Sequence, residues 1–334
     1  MEQKICLIGK GNVGTCLLQL LKDKEKEIKQ KFQINYSIMA IFEIDGALIN
    51  KNGINLGEVI EKGKNYRDLP YWNSGVKAIE ELPKLDLDIC IETTPTNPDT
   101  GEPALSHIIT ALKNRINVVA SNKGPFYLQY ENIKKLAREN KCSVRYEATV
   151  ASCVPALSIR EGLIGNTITS IKAILNGTTN YILSRMSSES VEFSIALKEA
   201  QELGYAEADP TLDIEGYDAA GKLVILANEL LGWSKTIKDV KSKGISKINA
   251  QTIELANIDG LVIKHLAIAE NDKLIVEPRL IEKDSPLNIS GTLNVIELQT
   301  KNAGPIILMG RGAGGCEAAS AILNDMINIS LDQN

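Results

Sequence analysis

Lys4-Ile5-Cys6-Leu7-Ile8-Gly9-Lys10-Gly11-Asn12-Val13-Gly14 decides the class of fold. An apolar run ends in three glycines spaced G-x-G-x-x-G, and an amphipathic stretch follows over residues 12–29. A strand that feeds a helix through such a turn is the context in which the motif binds a dinucleotide. The first glycine permits the tight turn, the second lets backbone approach a pyrophosphate, and the third lets the helix close on the sheet. The helix N-terminus adds partial positive charge. Gly9, Gly11, Asn12, Val13 and Gly14 are the candidate cofactor residues, against the plainer reading of a purely structural turn.

Outward from this turn, apolar segments at 36–42, 87–91 and 117–120 alternate with helical patterns. That rhythm predicts an α/β, Rossmann-type doubly wound parallel sheet. The polar connection over 45–68 reads as a long loop, with a short helix within it as the alternative. The second strand ends in Phe42-Glu43-Ile44-Asp45, where an acid would accept hydrogen bonds from ribose hydroxyls and repel a 2′-phosphate, a lean toward NAD over NADP. The interval from Gly14 to Glu43 is longer than usual, which leaves a solvated loop charge open. Thr93 and Thr94 follow the strand at 87–91, and Lys123 follows the next, all at the edge where doubly wound sheets hold ligands. Strand-end turn residues and an exposed lysine are the bland alternatives.

Past a strand at 143–147 the pattern changes. Helical segments at 155–162, 178–187, 192–203 and 214–231 precede β-branched runs at 261–268, 274–281, 294–300 and 305–309, which predicts a second, α+β domain. With 334 residues against roughly 150 per domain, two domains are expected: 1–145 for the dinucleotide, joined by a returning helix within 312–330, and 146–311 for catalysis and dimerisation.

Composition removes other classes. Apolar residues at 44% describe a globular chain, and a formal charge of −5 lacks the basic surplus a nucleic-acid binder needs. No apolar run is long enough for a membrane span, and the N-terminal apolar run is too short for a signal segment, so a cytoplasmic protein is expected. The six cysteines form no C-x-x-C pair, and two histidines leave little for histidine-based chemistry. Proton transfer falls to carboxylates and lysines.

Residues 204–222, GYAEADPTLDIEGYDAAGK, carry five carboxylates (Glu207, Asp209, Asp213, Glu215 and Asp218) ahead of an apolar helix. Acids at a helix N-terminus can be simple capping, and Asp218 with Lys222, four apart, can be an ordinary surface pair. Yet Lys222 is followed by Leu223-Val224-Ile225-Leu226, so its helix should be buried. A desolvated lysine aligned by an aspartate is a proton carrier, and the other acids could grip an ammonium. With a nicotinamide, this predicts hydride transfer at an alcohol or aldehyde carbon of an amino-bearing substrate.

These motifs, with ETTPTNPDTGEPA (92–104), SNKGP (121–125), EATVASCVP (147–155), LNGTTNYIL (175–183) and GRGAGGCEAAS (310–320), resemble the homoserine dehydrogenase family nearly end to end. The resemblance implies reversible NAD(P)-dependent hydride transfer between L-homoserine and L-aspartate 4-semialdehyde, within threonine and methionine biosynthesis. By position, Lys222 is similar to the family's catalytic lysine, Asp218 to its partner, and Lys123 to a second lysine facing nicotinamide and substrate. The resemblance gives Glu207 and Asp213 the substrate ammonium, with Gly177, Thr178 and Tyr205 lining that pocket. Gly312 and Gly314 resemble a C-terminal turn returning to the cofactor. Glu147, Val150, Ser152 and Val154 stand where the family holds Na+ or K+ through backbone carbonyls.

The family's glycines after Val150 are replaced here by Ala151-Ser152-Cys153, whose Cβ atoms restrict the turn. No aspartate kinase or regulatory domain is expected. Two rivals are a thioester-forming aldehyde dehydrogenase using Cys153, which lacks a supporting histidine motif, and a non-catalytic NAD(P) sensor, against which Lys123, Asp218 and Lys222 speak. Strand edges in the second domain predict a homodimer, with no nucleic-acid or membrane partner.

Overall fold

Ile5, Cys6, Leu7 and Ile8 are all buried, as in a strand covered on both faces. In the computed structural model, which describes residues 1–333, they lie in β1 (Glu2–Ile8), the middle strand of a seven-stranded sheet. The helix that follows, α1 (Asn12–Phe32), buries Gly14, Leu17, Leu18, Leu21 and Ile28, a stripe at helical spacing. It ends at Gln33, left-handed at φ 60°, with Lys29 and Lys31 in its last turn.

The sheet continues with β2 (Asn35–Glu43), β3 (Gly46–Ile49), β4 (Trp72–Ser74), β5 (Ile89–Glu92), β6 (Asn117–Ala120) and β7 (Val144–Arg145), in the order β4-β3-β2-β1-β5-β6-β7. Strands β2, β1, β5, β6 and β7 run parallel, whereas β3 and β4 are antiparallel additions at one edge. The connection expected as a loop therefore begins as a hairpin, because Ala47 and Leu48 find burial by folding back on Ile41 and Phe42. Helices α2 (Ala104–Lys113) and α3 (Tyr130–Asn140) bridge the later strands.

A second sheet is built from β8 (Ile168–Ile174), β9 (Val240–Ser242), β10 (Leu261–Glu270), β11 (Lys273–Glu282), β12 (Leu293–Thr300) and β13 (Gly304–Arg311). Its order is β13-β12-β8-β10-β11-β9, antiparallel except for β11 with β9. The sequence reading had no strand at β8, which lies inside the sheet. Helices α4 (Gly177–Glu189), α5 (Phe193–Glu202), α6 (Tyr217–Leu231) and α7 (Ala250–Ile258) accompany it. Ile182, Leu183, Met186, Ala200, Ile253 and Ile263 form one core cluster there. The expected helix over 214–231 is broken: Gly216 is left-handed at φ +84°, so α6 starts at Tyr217 and a separate turn covers Thr211–Ile214. The segment at 155–162 is helical only over Ile159–Gly162.

The chain ends in α8 (Gly315–Asp332), whose Ala319, Ile322, Leu323, Met326 and Ile329 share a core with Ile5, Leu7, Leu17 and Leu18. Contacts divide the chain into Met1–Ser152 with Gly314–Asn334, and Cys153–Ala313. The division falls after Ser152 rather than after 145, because the strand read over 143–147 stops at Arg145 and a turn at Glu147–Thr149 joins α8, with Glu147 N donating to Asp325 at 2.9 Å.

Candidate active site

At the carboxyl end of β1, the first glycine of the turn has φ +93°, and its N–H donates to Phe42 O on β2. A Cβ on Gly9 would press to 3.1 Å on the backbone of Thr93 and Thr94. A Cβ on Gly14 would sit 2.3 Å from Gly9 O, whereas one on Gly11 would meet nothing within 4 Å. The outer face of the turn is thus open where an anion would approach. Gly11 caps α1 without a side-chain bond and no acid occupies the first turn, so the helix N–H groups remain available to a phosphate. Asn12 is exposed and Val13 packs on the core. Those residues fit a dinucleotide.

The neighbouring strand ends complete this region. Glu43 Oε1 accepts from Lys10 N at 2.6 Å, which puts the acid beside the glycine turn. Asp45 pairs instead with Arg67, whose guanidinium holds the carboxyl below its ordinary range. Sequence reasoning had missed Arg67 and Lys10: both cations lie over the Tyr66 ring, at 4.8 and 4.4 Å. Burial lowers the Lys10 pKa against the pull of Glu43, with a smaller lowering from the charge of Arg67.

Thr93 donates through Oγ1 to Gly9 O at 2.6 Å, tying β5 to the turn. The Thr94 hydroxyl donates to Glu92, a fully buried carboxylate that His107 also approaches at 3.4 Å. Asn122 donates to Thr94 O at 2.9 Å and Pro95 O at 3.0 Å while accepting from Gly124 N, so the residues on either side of Lys123 are fixed. A Cβ at Gly124 would lie 2.9 Å from Asn97 O. Gly314, which heads α8, is followed by Gly315, where a Cβ would lie 2.7 Å from the Asn12 amide. The C-terminal turn thereby reaches the glycine turn within this unit.

In the other unit, Lys222 projects from α6 into a buried setting, 8% exposed. Its Nζ donates to Asp218 Oδ2 at 2.6 Å and to Leu175 O at 2.7 Å. Asn176 bridges the acids, with Nδ2 donating to Asp213 at 2.7 Å and to Asp218 at 3.0 Å, while its Oδ1 caps α4 through Thr179 N. Sequence reasoning passed over Asn176. Its signal was an N-cap residue before Gly-Thr-Thr. Burial, then the Asp218 charge, raises the Asp213 pKa above its ordinary value.

Close approaches hold this cluster. Gly177 faces Thr292 O, 2.7 Å from where its Cβ would be, and Gly216 leaves no room beside Ser242 and His265. Thr178 donates to Tyr205 O at 2.7 Å, and the Tyr205 ring packs tilted against Tyr181, with centroids 5.0 Å apart and planes at 59°. Glu207 is exposed near these residues in sequence, its carbonyl accepting from Gln201. Lys222, Asp218, Asp213, Gly177, Thr178 and Tyr205 are thus linked through α4, α6 and the segment between α5 and α6. Gly312 belongs to this unit, its α-carbon against the buried Asn294 amide.

Around the candidate cation residues, Ala151 and Ser152 adopt left-handed φ of 53° and 52°, so the turn forms despite their Cβ atoms. Glu147 O and Val154 O accept from Val150 N and Ala156 N. Cys153 is exposed. Of the histidines, His107 lies against Glu92, and His265 Nε2 pairs with Lys243 O at 3.0 Å. The thioester rival thus gains no support. No helix among the described residues is long and apolar enough to cross a membrane.

The family model described as the homoserine dehydrogenase NAD-binding domain matches residues 9–147, and the one described as homoserine dehydrogenase matches 155–327. A homoserine dehydrogenase of Methanocaldococcus jannaschii is 44% identical over 97% of this chain and 98% of its own. An NAD(+)-dependent homoserine dehydrogenase of Pseudomonas canavaninivorans is 37% identical, covering 98% and 96%. The crystal structure of a homoserine dehydrogenase candidate from Archaeoglobus fulgidus superposes with a TM-score of 0.90 at 38% identity, over 98% of this chain and 99% of that one. Matched in both halves by the family's models and nearly end to end by its members, the chain belongs to the homoserine dehydrogenases, NAD(P)-dependent oxidoreductases that act on a CH–OH group.

Proposed function

We propose that Lys222 is the proton donor and acceptor of the homoserine reaction and that Asp218 orients it. The supporting observation is a buried ammonium held at 2.6 Å by an aspartate one helical turn away. In the reductive direction, a reduced nicotinamide cofactor held at the glycine turn would supply the hydride for the aldehyde carbon of L-aspartate 4-semialdehyde. Lys222 gives its proton to the aldehyde oxygen, leaving a neutral amine and an alcohol. In reverse, the neutral amine takes the hydroxyl proton. Lys123, at the end of β6, is the second lysine of the reaction. Asp213 and Glu207 hold the substrate ammonium, with Gly177, Thr178 and Tyr205 shaping its surroundings. The test is a spectrophotometric assay with homoserine and each cofactor. Absence of turnover with both would overturn the assignment.

Gly9, Gly11, Asn12, Val13, Gly14, Thr93, Thr94, Gly312 and Gly314 are the proposed cofactor contacts, and Glu43 selects NAD by receiving the ribose hydroxyls. A second reading has its own observation: Lys10 and Arg67 flank Glu43 and carry the charge a 2′-phosphate would need. The expected result is a higher kcat/KM for NAD than for NADP, with Arg67→Ala weakening NADP use more than NAD use. A preference for NADP would favour the second reading. The turn at Glu147, Val150 and Ser152, with Val154, is the proposed site for Na+ or K+. Replacing K+ by tetramethylammonium in the same assay reads it through lost turnover.

The pH dependence follows from Asp213. It must be ionised to hold an ammonium, and its pKa is raised. Homoserine KM is therefore expected to climb on acidification while the pH is still above the ordinary aspartate range. Asp213→Asn should raise KM at every pH and flatten the profile. A variant that keeps the parent's profile would remove Asp213 from this role.

A homodimer through the second sheet is the proposed assembly. Edge strand β13 exposes Ile307 and Met309, and β11 exposes Leu280. Light scattering is expected to give twice the chain mass, and a monomer at micromolar concentration would refute it. A cytoplasmic location is proposed from the biosynthetic enzyme family to which the chain belongs.

A further inference from the structure

Cys16 and Cys316 are 300 residues apart in sequence, yet their Sγ atoms lie 2.7 Å from each other. Neither has a role in the chemistry above. Cys16 stands on α1, two residues past Gly14, and Cys316 is the second residue of α8. Both helices are anchored in one core, through Leu17 and Leu18 on α1 and Ala319, Ile322 and Leu323 on α8. The sulfurs are therefore held together by rigid elements. Cys316 is exposed and Cys16 half-buried, whereas Cys6 and Cys90 are buried.

We propose that Cys16 and Cys316 are a site of reversible oxidation, closing to an intrachain disulfide when they meet a small-molecule disulfide. The exposed Cys316 sulfur, as thiolate, attacks one sulfur of the oxidant, forming a mixed disulfide and releasing one thiolate. Cys16 then gives up its proton and attacks the Cys316 sulfur, expelling the second small thiolate. Two protein thiols are oxidised and one small disulfide is reduced to two thiols. Hydrogen bonding to Cys316 pushes the Cys16 pKa up to about 11 in the reduced pair, so the exposed Cys316 is the thiol that attacks first. Closing the bond moves the sulfurs by less than about 1 Å, so the helices need not repack. The cross-link fixes the first turn of α8 onto the helix that opens at the glycine turn, and it removes a long loop's freedom from the unfolded chain.

The test incubates the full-length enzyme with oxidised glutathione, counts thiols, maps linkages by peptide mass, and follows thermal unfolding. Expected are the loss of two of the six thiols, a Cys16–Cys316 linkage within single chains, and a midpoint higher by about 5 °C or more. Dithiothreitol should reverse all three. Cys16→Ser and Cys316→Ser should each abolish the linkage and the shift, with circular dichroism showing that each variant folds. Linkage of other cysteines, persistent mixed disulfides, linkage between chains, or a mapped bond with an unchanged midpoint would each overturn the proposal.

Discussion

Lys222→Ala is expected to lower kcat by about 10²- to 10⁴-fold, the usual contribution of a positioned acid–base group. The loss should appear in kcat and kcat/KM together, because the proton moves only as the transition state forms. Cofactor affinity, read by fluorescence of the reduced nicotinamide, should stay near the parent's, since the glycine turn belongs to the other unit. The substitution also removes donors from Asp218 and Leu175 O, so some loss of thermal stability accompanies it. Asn176 still donates to Asp218, which limits the exposure of an unpaired carboxylate. Lys222→Met keeps most of the side-chain volume and separates packing from chemistry. If either folded variant retains kcat within tenfold of the parent, Lys222 does not carry the proton.

The turn after β1 was legible because its information is local: three glycines, an apolar run before them and an amphipathic run after. The Asp218–Lys222 pair was legible for the same reason, being one turn of a single helix. Strand β8 was not. Its buried residues, Ile168, Ser170, Ile171, Ala173 and Ile174, follow neither a period of two nor of 3.6, because a strand inside a sheet buries both faces. Asn176, the bridge between two carboxylates, reaches Asp213 and Asp218 only once α4 and α6 are packed. Arg67 reaches the end of β2 from the far side of a connection whose hairpin depends on burial against β2, a tertiary cause with no local sign. Gly216 was visible as a glycine, but its role as a helix break comes from the crowding of Ser242 and His265 against it.

Gly14→Ala tests the other half of the reaction. The new Cβ would lie 2.3 Å from Gly9 O and 3.3 Å from a Leu7 methyl, so the contact is chiefly with backbone and cannot be relieved by turning a side chain. Either α1 moves off the sheet or the Gly9 peptide rotates. Moving the helix disturbs the packing of Leu17, Leu18 and Leu21, and overpacking of this kind costs about 1–3 kcal/mol. Rotating the peptide displaces the bond from Gly9 N to Phe42 O and the contact from Thr93 Oγ1, and with them the cradle for the pyrophosphate. Both routes weaken cofactor binding. A rise in cofactor KM of about tenfold or more is expected, equivalent to about 1.4 kcal/mol, with homoserine KM changed less. Gly11→Ala provides the contrast: its Cβ meets no protein atom within 4 Å, so the fold should be unaffected and any loss must come from the ligand side. If Gly14→Ala binds cofactor as the parent does while Gly11→Ala also has no effect, the dinucleotide does not lie on this turn.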